Sequence, residues 1–125
     1  MRKRVEARGP ESADVMWAAY ADTSQWARWA PQIRRIDPGG PLVEGMRGVV
    51  HGPVWSNARF EVTSVDRPTG RWTWRVRSGP VRLTIDHEVT DGMTAVEIDG
   101  SAPFVLAYAP VARVALERLV HPTQD

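Results

Sequence analysis

Hydrophobic and polar residues alternate most regularly between Arg71 and Gly100. The stretch runs RWTWRVR, SGP, VRLTIDHEVT, DG, MTAVEIDG. It predicts three strands joined by two tight turns. Asp91-Gly92 between alternating segments is a strong hairpin signal. Ser78-Gly79 serves as the other turn, with Pro80 at the strand edge. A two-residue turn at Ser78-Gly79 sets Val76 opposite Val81, Trp74 opposite Leu83, Trp72 opposite Ile85 and Gly70 opposite His87. A two-residue turn at Asp91-Gly92 sets Val89 opposite Thr94, His87 opposite Val96 and Ile85 opposite Ile98. Both registers place the same middle-strand residues on one face, and a one-residue slip in either would reverse them. That face carries Trp72, Trp74, Val76, Val81, Leu83, Ile85, Val89, Val96 and Ile98. The opposite face carries Arg71, Thr73, Arg75, Arg82, Thr84, Asp86, Glu88, Glu97 and Asp99. His87 is the one ionisable residue among the apolar set, with open space expected beside it at Gly70.

The remaining segments extend this pattern. Residues 3–8 alternate with Val5 and Ala7 on one side, a first strand. Ser12 caps a helix over residues 13–21 with Met16, Trp17 and Tyr20 along one side. Asp22-Thr23-Ser24-Gln25 caps a second short helix bearing Trp26 and Trp29, ended by Pro31. Strands follow at Gln32–Asp37, Gly45–Gly52 and Trp55–Val65. After the three-strand stretch, Pro103–Val120 reads as helix. Pro110 predicts a kink there, or a short segment before it and the main helix after. The order is one strand, two short helices, six strands and one long helix. Short turns between the later strands make the sheet antiparallel.

A sheet with one bulky apolar face needs a cover. The C-terminal helix is the sizeable one, presenting Val105, Tyr108, Ala109, Ala112, Ala115, Leu116 and Leu119. Aromatic sheet residues facing alanines imply close packing over a flat sheet, or a hollow beneath a strongly curved one.

Composition narrows the possible chemistry. A chain of 125 residues is expected to form one domain over 1–125. A net charge of +1 gives no general attraction to nucleic acid or membrane. With no cysteine, disulfides, zinc–thiolate sites and cysteine nucleophiles are excluded. His51, His87 and His121 lack metal-ligand spacing, so no metal or other cofactor is expected. There is no phosphate loop, nucleophile elbow or dinucleotide fingerprint. Met1-Arg2-Lys3-Arg4 leads into no apolar core, and the run Ala102–Ala112 is too short to span a bilayer. A cytoplasmic location is therefore expected.

The chain resembles the SRPBCC superfamily, the START-related helix-grip proteins, and within it the bacterial polyketide cyclase/dehydrase-like members. The resemblance is carried by Val15-Met16-Trp17 through Trp26-Ala27-Arg28-Trp29-Ala30-Pro31, and by Leu42-Val43-Glu44-Gly45-Met46-Arg47-Gly48. Phe60-Glu61-Val62 to Pro68, Trp72-Thr73-Trp74 and Asp86-His87-Glu88-Val89 with Asp91-Gly92 extend it over nearly the whole chain. It implies an α+β helix-grip fold: a seven-stranded curved antiparallel sheet wrapped round a long C-terminal helix, with two short helices after strand 1. It also implies an apolar cavity between sheet and helix that takes a lipid, polyketide or similar hydrophobic molecule. Pro110 departs from the pattern, and no set of cyclase catalytic residues maps onto this chain.

The candidate ligand-binding residues are Trp72, Trp74, Leu83, Ile85, His87, Val96, Ile98 and Tyr108. Aromatic and aliphatic area suits a flat hydrophobic ligand. His87 is the only candidate for acid/base catalysis, and a structural histidine bonded to backbone is the simpler assignment. Asp86 and Glu97, beside Arg71, form a possible carboxylate pair that fits an exposed ion-pair cluster better. Three functions are open: binding of a hydrophobic small molecule, a cyclase/dehydratase activity using His87, and a protein-interaction module using the outer sheet face.

Overall fold

The computed structural model describes residues 1–52 and 57–121. The alternating segments form one antiparallel sheet of seven strands: β1 (Arg2–Arg8), β2 (Arg35–Asp37), β3 (Arg47–His51), β4 (Ala58–Asp66), β5 (Arg71–Ser78), β6 (Val81–Thr90) and β7 (Met93–Gly100). Their spatial order is β1-β7-β6-β5-β4-β3-β2. Six strands thus form a meander, and β1 closes the far side on β7. The helix α1 (Ala13–Ala21) and a 3-10 turn (Thr23–Arg28) carry the chain from one sheet edge to the other. The long helix α2 (Ala102–Val120) lies over the apolar face, against β1, β7 and β6.

Each element follows from local chemistry. Ser12 Oγ accepts from the Val15 N–H at the start of α1, and the Asp91 carboxylate accepts from the Ala13 N–H at 2.8 Å. The β6–β7 turn thereby satisfies an otherwise free helix donor and sets negative charge at the positive end of α1. Asp22 caps the 3-10 turn through the Ser24 N–H. The expected strand at Gln32–Asp37 shortens to β2, because the Ile33 N–H bonds back to the Ala30 carbonyl and extends the preceding turn. The strand expected at Gly45–Gly52 begins at Arg47, since Gly45 turns the chain with φ of 90°. The part of the expected fourth strand between Trp55 and Ser56 lies outside the described residues. One extra residue, Thr63, breaks the register between β4 and β5, a bulge that bends a strand and adds to sheet curvature.

The split expected at Pro110 does not occur, and α2 is unbroken from Ala102 to Val120. Proline removes the hydrogen bond to the carbonyl four residues earlier, that of Leu106. Leu106 and Pro110 both lie on the exposed side of α2, where water can take that carbonyl. The residues expected to face the sheet do so: Val105, Ala109, Ala112, Ala115, Leu116 and Leu119 are buried, and Tyr108 is half-buried.

The β6–β7 register is as expected, with His87 opposite Val96 and Ile85 opposite Ile98. The β5–β6 register differs by two residues. Ser78 pairs with Val81, leaving Gly79-Pro80 as the turn. Gly79 has φ of 57° and the proline ring fixes φ near −65°, the signs of a type II′ turn with glycine first. Pro80 therefore belongs to the turn rather than to the strand edge. Trp72 consequently sits opposite His87, Trp74 opposite Ile85 and Val76 opposite Leu83. Gly70 accepts from the Val89 N–H instead of leaving space beside His87. Its φ is 69°, and a Cβ there would collide with the Val89 carbonyl. The glycine is required by the backbone.

The outer face bears a ladder of ion pairs: Arg2 with Glu97 and Asp99, Arg4 and Arg71 with Glu88, and Arg47 and Arg75 with Glu61. At such exposure water screens these pairs, and each adds little stability.

Both Gly70 and Gly79 have positive φ, but Gly79 has open space where Gly70 meets backbone. Gly79→Ala should cost about 1–2 kcal/mol, the backbone penalty alone for a side chain at the glycine position of a type II′ turn. Gly70→Ala should cost at least about 2–3 kcal/mol. Urea unfolding of the two variants tests the difference.

Candidate ligand-binding cavity

The apolar faces of β5 and β6 meet α2 in two different ways. Under residues 108–116 of α2 the packing is tight. Tyr20, Trp26, Trp29, Trp72, Trp74 and His87 form an aromatic cluster with ring centroids 3.6–6.3 Å apart. Its centre is a face-to-face stack of Trp72 on His87, 3.6 Å between centroids and 7° between planes. The Trp26 indole donates to the Tyr20 carbonyl at 2.9 Å. Thr94 Oγ1 donates its proton to the Glu88 carbonyl, so Tyr20 must be the donor in its 3.3 Å bond to Thr94. Burial raises the Tyr20 phenol pKa, against the opposing effect of that bond. A cavity of about 30 Å³ is left here, bordered by this cluster, Val96 and the small helix residues Ala112 and Ala115.

Under residues 104–111 the sheet curves away from α2 and leaves a cavity of about 230 Å³. Its sheet wall is Trp74, Val76, Val81, Leu83 and Ile85, extended by Val50 and Ala58. Its helix wall is Phe104, Ala107, Tyr108 and Val111. Ala107 is exposed, and Val50, Val76, Val81, Phe104 and Val111 are half-buried, so this cavity reaches the surface. Gln32, Ile33, Trp74 and Tyr108 border both cavities, which therefore lie end to end along α2.

The residues singled out from sequence are divided between these spaces. Trp74, Leu83, Ile85 and Tyr108 border the larger cavity; Trp72, Trp74, His87, Val96 and Tyr108 border the smaller. Ile98 borders neither and is fully buried in the core. The space expected beside His87 is filled by the Trp72 indole, and the hollow is displaced towards the Gly79-Pro80 turn. Val50, Ala58, Phe104, Ala107 and Val111 join the wall through sheet curvature and the path of α2, which leave no local sequence signal. Gln32 had a signal that sequence reasoning passed over: a polar residue within Trp29-Ala30-Pro31-Gln32-Ile33. Its amide N–H donates to the Tyr108 hydroxyl at 3.0 Å. Burial raises the Tyr108 phenol pKa, partly offset by this bond.

His87 is poorly placed for proton transfer. Its Nδ1 lies 3.2 Å from the Trp72 carbonyl, which only an Nδ1–H can satisfy by donating. Burial pushes its pKa down to about 3, and hydrogen bonds to the backbone of Trp72 and Ile85 recover only part of the loss. The imidazole is neutral near pH 7 and a very weak base there. Asp86 accepts from the Thr73 hydroxyl at 2.6 Å, while Glu97 pairs with Arg2 and Arg4. Glu88, not Asp86, is the acid beside Arg71. On the same face Arg77 lies opposite Arg82, with Arg59 next to Arg77. Among the described residues no group of three His, Cys, Asp or Glu is placed to share a metal ion, and no helix is long and apolar enough to cross a membrane.

A curved antiparallel sheet gripping a C-terminal helix, with an apolar cavity between them, defines a helix-grip ligand-binding domain. The chain belongs to the family described as polyketide cyclase / dehydrase and lipid transport, which matches residues 5–123. Comparison with curated proteins gives no significant match. Solved structures share the fold at low identity. MLL2253 from Mesorhizobium loti is 17% identical with a TM-score of 0.72, covering 100% of both chains. XoxI from Bacillus cereus is 13% identical with a TM-score of 0.69, covering 95% of this chain and 92% of its own. DynU16, from the dynemicin biosynthetic locus, is 20% identical with a TM-score of 0.68 over 91% of this chain. The chain spans 45% of the length of DynU16.

The buried neutral His87 has a stability signature. Its folded pKa lies below the unfolded value of about 6.5, so the unfolded state takes up the proton first. The stability it confers is present above pH 6.5 and declines as pH falls towards 3, by up to about 1.4 kcal/mol per unit. Urea unfolding at pH 7.5 and pH 5.0 should show a loss in the wild type of about 2 kcal/mol more than in His87→Phe, which keeps a ring against Trp72. Equal losses in the two proteins would mean that His87 titrates normally.

Proposed function

We propose that this protein binds a small hydrophobic molecule in the 230 Å³ cavity between β5, β6 and the first half of α2. The observation that carries the reading is an apolar hollow of this size, open to the surface, within a core packed tightly elsewhere. Well-packed interiors do not leave such voids without cost. An apolar cavity of about 150 Å³ is enough to hold benzene. The space here suits a two-ring aromatic or a medium-chain molecule, with larger ligands extending through the mouth by Ala107. The family's description and the setting of DynU16 in a biosynthetic locus agree with a ligand of polyketide or lipid type. The neutral, stacked His87 favours binding over acid/base turnover. A cytoplasmic site of action is part of the same reading.

Titration with naphthalene should quench or shift tryptophan emission saturably, because Trp74 lines the cavity, with Kd on the order of 10 µM for a ligand of this size. Val76→Phe, which fills the cavity, should weaken binding at least about tenfold and leave unfolding stability nearly unchanged. Absence of saturable binding by naphthalene and by medium-chain ketones alike would refute the reading.

A further inference from the structure

Four buried polar atoms find no hydrogen-bond partner among the described residues: the indole Nε1 atoms of Trp29, Trp72 and Trp74, and Oε1 of Gln32. All four belong to residues that border the 30 Å³ cavity, and Trp74 and Gln32 border the larger cavity as well. Trp72 is 1% exposed and Trp74 4%. Leaving such a group unpaired costs about 1–3 kcal/mol, so a cluster of them is a feature to be explained. The contrast with Trp26 is informative: an indole in the same cluster donates to the Tyr20 carbonyl. Trp26 borders the same cavity, so the space is lined by one indole that is paired and three that are not.

Their chemistry is unbalanced. Three are N–H donors, and the hydroxyl proton of Tyr108 adds a fourth, because Tyr108 oxygen already accepts from Gln32. Against these donors stand two acceptors on residues that border the space, Gln32 Oε1 and the unprotonated Nε2 of neutral His87, and turning the amide over would still leave one of its ends unpaired. A water molecule accepts two hydrogen bonds and must also donate two, so it matches a donor-rich space poorly. An oxygen that only accepts matches it better. Among the described residues no Lys or Arg borders either cavity. A carboxylate would therefore lose its hydration without gaining a counter-charge.

We propose that the 30 Å³ cavity and its junction with the larger one form a hydrogen-bond-donor pocket for the uncharged carbonyl oxygen of a ligand whose apolar body fills the 230 Å³ cavity. The inference rests on the binding reading above and specifies its ligand: a neutral aromatic or aliphatic ketone or related carbonyl compound, not a hydrocarbon and not a carboxylic acid. Gln32, Trp74 and Tyr108, at the junction, carry the polar end, while Val76, Leu83 and Phe104 hold the apolar body. The two cavities together then discriminate by polarity as well as by shape.

The test is a matched set measured calorimetrically on the full chain at pH 7: 2-acetylnaphthalene, its near-isostere 2-isopropenylnaphthalene, and 2-naphthoate. Burial alone favours the alkene, the more hydrophobic of the first two. The inference predicts that the ketone binds at least tenfold tighter than the alkene and that the carboxylate binds weakest. With ¹⁵N-labelled tryptophan, the ketone should move at least one indole N–H proton downfield, and the alkene should not. Trp74→Phe should remove most of the ketone's preference. If that variant does not fold, Tyr108→Phe and the indole shifts of the wild type still decide the matter. An alkene that binds as tightly as the ketone, with unmoved indole resonances, overturns the inference and leaves the binding reading standing. If none of the three compounds binds, the inference falls, and the binding reading falls with it only when naphthalene and medium-chain ketones fail as well.

Discussion

The stack of Trp72 on His87 governs the interior of this protein. It joins β5 to β6 on the apolar face, at the end away from the Gly79-Pro80 turn, and holds a neutral imidazole where water is excluded. Tyr20 and Trp26 pack their edges and faces against it, fixing α1 and the following turn to the sheet. The space between sheet and helix is thereby closed at the Ala112–Leu116 end of α2. What room the curved sheet leaves must lie at the other end, under Phe104 to Val111. Packing at one end and hollow at the other have the same origin, since aromatic bulk concentrated at Trp72 and His87 gives way to valines and alanines towards the Gly79-Pro80 turn.

This arrangement also assigns His87 its part. On an apolar wall a histidine invites a catalytic interpretation, but catalysis requires an imidazole that can exchange its proton near neutral pH. Desolvation keeps His87 neutral, and its Nδ1–H is committed to the Trp72 carbonyl. Its contribution is a flat polar ring that satisfies a backbone acceptor while packing like an aromatic. In the proposed binding function the polar contacts fall instead to Trp74, Gln32 and Tyr108, where the two cavities meet.

Most of the fold could be read from the chain, because alternation and caps are local. The seven strands, the inward set from Trp72 to Ile98, the Ser12 cap and the buried stripe of α2 all follow from residues within a few positions of one another. The β5–β6 register did not, for a specific reason. Alternation has period two, so it exposes a one-residue slip and is blind to a slip of two. Ser78-Gly79 and Gly79-Pro80 give the same faces, and only the dihedral demands of a type II′ turn separate them. That shift replaced Gly70 by Trp72 beside His87 and moved the expected hollow along the sheet. The cavity wall at Val50, Ala58, Phe104 and Val111 depends on curvature and helix placement, which no single segment encodes. Gln32 was recognisable in type, as a polar residue amid aromatics, but its partner Tyr108 lies 76 positions away.

The central claim is that a hydrophobic molecule lodges beyond Trp74, between the β5–β6 turn and the first half of α2. Its most direct test is the set of intermolecular nuclear Overhauser effects between unlabelled naphthalene and methyl-labelled protein. The account predicts contacts to the methyls of Val76, Val81, Leu83 and Val111. Contacts confined to Val96 beside the Trp72–His87 stack, or to exposed methyls such as those of Val43 and Val114, would contradict it.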